Sequence, residues 1–75
     1  MTRGVEVARY LARGISRRPE WVRVEHVWTP SADLVFLRLP AEDKKRLRAE
    51  EVAALLRVIE LLGREEEREL VVDLK

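Results

Sequence analysis

The sequence predicts a small two-layer α+β domain of order α-β-β-α-β, with two helices on one face of a mixed three-stranded sheet. Three observations carry this. Apolar residues recur with the period of a helix near the start, and they alternate with period two over residues 21–28. A long segment after Pro40 then opens and closes with helix signals and leads into a last alternating run.

Size and composition bound the answer first. A chain of 75 residues holds one domain, spanning 1–75, and one core. Folding at this length buries only ~60% of the unfolded surface. With no cysteine, neither a disulfide nor a thiolate metal site adds stability, so dense packing or a partner subunit must. Charged residues make up 39% of the chain, yet the net charge is only +1. Asn and Gln are absent, and Arg and Glu dominate the charges, the composition expected of a thermophile protein. No apolar run approaches the ~20 residues of a membrane span, and the N-terminal residues lack the core of a signal peptide. The expected location is cytoplasmic, with no membrane partner.

Residues 3–16 read as an amphipathic helix. Val5, Ala8, Leu11, Ala12 and Ile15 share one side, and Arg9, Arg13 and Arg17 run down the other. Thr2 is the candidate N-cap, and Gly14 and Pro19 bracket the end. Residues 21–28 form a first strand, and Thr29 to Asp33 form a turn around Pro30. Residues 34–39 form a second strand, apolar on both faces except at Arg38, which completes a hairpin.

Residues 40–62 read as one long helix, opened by Pro40, Glu42 and Asp43 and stopped by Gly63. Its face is Val52, Leu55, Leu56, Ile59 and Leu62. Projected backwards, this face meets Lys44, Lys45 and Arg48, so the first two turns overhang the sheet. The rival reading places a turn at 40–43 and a short strand at 44–48. Residues 69–74 form the last strand. The second helix returns the chain, so this strand runs parallel to the second strand. A crossover skipping one position sets it beside the first, giving sheet order 2-1-3.

Strand alternation sorts the two faces. Val22, Val24, Trp28, Val35, Leu37, Leu39, Leu70, Val72 and Leu74 are expected beneath the helices, with His26 among them near a strand end. Trp21, Arg23, Glu25, Val27, Leu34, Phe36, Arg38, Val71 and Asp73 fall on the other side. Two helices cover one face only, so this second face is left open, and it is too apolar for an ordinary solvated surface.

Candidate chemistry is sparse. His26 is the sole histidine, and no further ligand lies at a metal-binding interval from it. The carboxylates are scattered and sit within helical reach of bases, as Glu42 does of Arg46 and Arg46 of Glu50. Gly4, Gly14 and Gly63 are too far apart for a phosphate loop, and Ser16 and Ser31 have no histidine partner. Neither a GxxG loop between helices nor an aromatic RNP signature is present. The expectation is therefore a protein that is not an enzyme and takes no cofactor.

Residues 1–28 hold six arginines against three glutamates. Arg9, Arg13, Arg17 and Arg18, with Trp21 available for stacking, are the candidate contacts to RNA or DNA. Val27, Leu34, Phe36, Arg38 and Val71 are the candidate interface to a second copy or another protein. The near-neutral charge favours the second reading, a homo-oligomeric or partner-binding subunit, over a nucleic-acid-binding module.

Overall fold

The structure, a computed structural model, describes residues 3–65 and 67–75. Thr2, the expected cap, lies outside the described residues. Helix α1 spans Arg3–Ile15 and buries Val5, Ala8 and Ala12, as the apolar period requires, while Ile15 stands at its exposed end. Pro19 then fixes the backbone for a single 3-10 turn, Pro19–Trp21, in which Trp21 N–H donates to Arg18 O and Val22 N–H to Pro19 O. The first strand consequently starts later than the alternation suggests. Trp21 belongs to this turn and is exposed, not a strand residue on the sheet's open face.

Strand β1, Arg23–Trp28, pairs antiparallel with β2, Ala32–Arg38. Thr29 closes the hairpin: its hydroxyl donates to Ala32 O and accepts from Ala32 N–H. The segment expected as one long helix is two, α2 at Ala41–Arg46 and α3 at Ala49–Gly63. Leu47 and Arg48 between them are extended, with ψ of 134° and 159°. Residues 44–46 are helical, so the short-strand alternative fails as well. Leu47 turns in to pack against the core, and α3 restarts where the Glu51 carboxylate accepts from the Arg48 backbone N–H at 2.8 Å.

Strand β3, Glu69–Leu74, runs parallel to β2 as expected, but the sheet order is β1-β2-β3 and not 2-1-3. The free edge of β2, not β1, receives it. Two physical causes favour this arrangement. β2 carries the unbroken apolar run Leu34-Val35-Phe36-Leu37, which only a central strand flanked on both sides buries well. Arg68, just before β3, is tied to the hairpin turn at the start of β2: its Nη2 donates to Thr29 O at 2.8 Å and Ala32 O at 2.9 Å.

The register lines up three rows beneath the helices: Val24–Leu37–Leu74, His26–Val35–Val72 and Trp28–Asp33–Leu70. Leu37 and Val35 are fully buried and, with Ile59 of α3, form the centre of the core. Each such side chain contributes about 1.5–3 kcal/mol by its burial. Helices α1 and α3 touch at Gly4 and Gly63, where a Cβ on Gly63 would stand 2.8 Å from Gly4 Cα. Three residues expected on the covered side are exposed, His26 among them. Trp28, beside the hairpin turn, is 63% exposed and lies under the Arg68 guanidinium instead of a helix. Leu62 of α3 is 56% exposed.

Candidate interaction surface

The helix-free face of the sheet is organised in rows across all three strands. Val27, Leu34 and Val71 are register partners and form an unbroken apolar row, with Val27 and Val71 exposed. The next row is Glu25–Phe36–Asp73. The Phe36 ring is partly covered by Lys75, whose Nζ lies 5.2 Å from the ring centroid. Alternation in the sequence therefore brings Val27, Leu34, Phe36, Arg38 and Val71 onto one face, as expected.

A cationic edge borders this apolar patch. Arg23 stands directly opposite Arg38, a like-charge cross-strand pair that by itself is unfavourable. Lys75 follows Leu74, and its N–H donates to Leu37 O, so it extends the same row. Glu25 is shared by two of the three cations: it accepts from Arg38 Nε at 2.8 Å and from Lys75 Nζ at 3.2 Å. The hydrogen bonds from Arg38 and then Lys75 hold its carboxyl below the usual carboxylate range. Arg23 donates to the backbone oxygens of Glu20 and Val22.

Two polar anchors shape the margins, and sequence reasoning missed both. Asp33 is buried at the hairpin end and accepts from Arg68 Nε at 3.1 Å and from His26 Nε2 at 2.8 Å. Arg68 foremost, then His26, keeps this carboxyl well below its ordinary value, and Asp33 in turn raises the pKa of Arg68. Because Asp33 is ionised, the proton of the contact resides on His26 Nε2. His26 thus has a structural partner, as expected, but it is exposed and no helix covers it. Asp43, fully buried, is the second anchor. Burial opposes its ionisation, but the Ser16 hydroxyl, the Arg17 N–H and Arg46 together hold its pKa low. Arg46 Nη2 also donates to Ile15 O at 2.8 Å, tying the end of α1 to α2.

The arginine stripe is not continuous. α1 ends at Ile15, so Arg9 and Arg13 lie on the helix while Arg17 and Arg18 lie on the loop beyond it. Arg18 Nε donates to Glu42 at 2.7 Å, which raises the Arg18 pKa, and its guanidinium stacks 5.5 Å from the Trp21 ring. The expected helical pairs of Arg46 with Glu42 and Glu50 are replaced: Arg46 bonds Asp43, Glu42 takes Arg18, and Glu50 takes Arg48.

The described residues hold no group of three His, Cys, Asp or Glu side chains placed to bind a metal ion. None of their helices is long and apolar enough to cross a membrane. Comparison with protein-family models, curated proteins and solved structures finds no match to this chain.

Proposed function

We propose that the chain is a non-enzymatic, cytoplasmic interaction subunit that associates with a second copy through the helix-free face of its sheet. The uncovered apolar row Val27–Leu34–Val71, with Phe36 beside it, carries this reading. Water has no favourable partner there, and removing each such side chain from it contributes about 1.5–3 kcal/mol. A domain this small gains from that burial. The composition without Asn, Gln or Cys suits such a subunit to a hot environment. Sedimentation equilibrium tests the reading: Phe36→Asp, which sets a charge in the contact, is expected to halve the assembly mass and leave the chain folded. An unchanged mass would retire it.

Nucleic-acid binding is the second reading. The aligned cations Arg23, Arg38 and Lys75, with Arg18 stacked on Trp21, favour it over the divided stripe on α1. Single-stranded RNA or DNA would lay its phosphates along that edge and a base on Trp21 or Phe36. Gel-shift titration is then expected to show affinity falling steeply with salt, and Arg23→Glu with Arg38→Glu abolishing it. A folded wild-type protein giving no shift at low salt ends this reading.

A further inference from the structure

We infer that a second copy of this chain adds to the free outer edge of β1, strand antiparallel to strand, with the two-fold axis at His26. The order β1-β2-β3 leaves the outer edges of β1 and β3 unpaired among the described residues. The ladder shows which main-chain groups each edge presents. Thr29 N–H donates to Ala32 O, and this pair continues the register of β1 with β2. Hydrogen-bonded pairs of an antiparallel ladder recur at every second residue, so Val27, Glu25 and Arg23 bond inward to β2. Val24, His26 and Trp28 therefore turn their N–H and C=O groups outward. Such an edge takes one kind of occupant, an extended strand, and proteins ordinarily blunt it.

The edge of β3 is blunted, whereas that of β1 is open. Glu69 N–H donates to Ser31 O and Lys75 N–H to Leu37 O, so Leu70, Val72 and Leu74 point outward on β3. There the Asp73 carboxylate accepts from Leu74 N–H at 2.8 Å and closes that end. β1 holds no proline, and its register is unbroken. Its two charged side chains turn to the open face and are already engaged, Arg23 with the oxygens of Glu20 and Val22, Glu25 with Arg38 and Lys75.

Register identifies the occupant as a second β1. With the axis at His26, Val24 stands opposite Trp28 of the other copy, and every outward N–H and C=O of the three residues is satisfied. Glu25 then meets Val27 and Arg23 meets Thr29, so no like charges are opposed. The central pair is the two His26 imidazoles, each bonded to its own Asp33 carboxylate. Trp28, 63% exposed, gains the Val24 side chain as a cross-strand neighbour. Other axes fit less well. An axis at Glu25 opposes two carboxylates and sets Trp28 against Val22, whose N–H already donates to Pro19 O. An axis at Val24 carries Trp28 onto the 3-10 turn, and an axis at Val27 sets Val24 opposite Pro30, which has no N–H. The strand is therefore complementary to itself, as a two-fold contact requires.

His26→Pro removes an outward donor, a change that an edge strand tolerates. It is expected to halve the wild-type mass in sedimentation equilibrium, whether or not the sheet face also pairs, while His26→Ala, which keeps the N–H, leaves the mass unchanged. In the wild type, the amides of Val24, His26 and Trp28 are expected to exchange hydrogen about tenfold more slowly at high concentration than at low, and to keep this protection in Phe36→Asp. The chain has no cysteine, so His26→Cys is expected to form a disulfide dimer under mild oxidation, whereas Glu25→Cys forms none. Fast exchange of the three amides at every concentration overturns the edge contact, even where His26→Pro fails to fold. A disulfide from Glu25→Cys in place of His26→Cys overturns the axis at His26. Protection that appears only on adding a foreign peptide of alternating valine and threonine overturns the second copy as occupant.

Discussion

Asp43 shows how one side chain sets the path of the backbone around it. It lies inside the protein with the Ser16 hydroxyl, the Arg17 N–H and the Arg46 guanidinium converging on one carboxylate. Asp43→Ala leaves those donors facing a void and is expected to cost roughly 3 kcal/mol in urea unfolding, against about 1 kcal/mol for Ser16→Ala. Asp33 and Asp43 both have folded-state pKa values below the unfolded value of about 3.9. Their contribution to stability is complete above about pH 5 and is lost as pH falls through the unfolded value toward the folded ones. Unfolding midpoints measured from pH 7 to pH 2 are expected to drop in that window, and Asp33→Asn with Asp43→Asn to flatten the drop. Neither role was legible in the sequence, because an aspartate in a turn or in a helix-start signal looks the same whether it points to water or inward.

At the scale of elements, the boundaries of α1 and β3 follow from periodicity, whereas the break between α2 and α3 carries no glycine or proline to announce it. Its trace was the mismatch of faces, with Lys44, Lys45 and Arg48 projecting onto the apolar stripe. The chain resolves that mismatch by rotating the helix at Leu47, not by overhanging the sheet. Glycines separate two kinds of constraint within the helices. Gly14 has nothing within 4 Å of an added Cβ, so Gly14→Ala is expected to stabilise the protein by about 0.5–1 kcal/mol, read as a raised melting temperature. Gly63→Ala instead drives a methyl group into the Gly4 backbone, and it is expected to cost about 1–3 kcal/mol in the same measurement.

For the whole molecule, the division of Phe36 from Leu37 was legible because a strand has only two sides. Leu37→Ala is expected to cost about 2–5 kcal/mol through a cavity at the core centre, whatever the state of assembly, as thermal unfolding at several concentrations will show. The place of β3 was not legible, since either edge of the hairpin satisfies the direction of the crossover. What distinguishes them is Arg68, whose four acceptor residues, Thr29, Pro30, Ala32 and Asp33, come together only once the hairpin has formed. The exposed outer arc of α3 was present in the sequence as an excess of apolar positions. Of that arc only Leu62 is expected on the covered face, and it is exposed beside Val58 and Leu61.

The parallel pairing of β2 with β3 also sets an order in time. Asp33 and Leu70 are register partners far apart in sequence, while β1 and β2 are joined by a short turn. Closing the long loop is the slower event, so a newly made chain holds its hairpin before β3 arrives. During that interval the most apolar strand has one bare edge, open to β3 of its own chain or of a neighbour. Dilution during refolding therefore favours self-completion, and crowded chains are drawn toward exchanging β3 between copies.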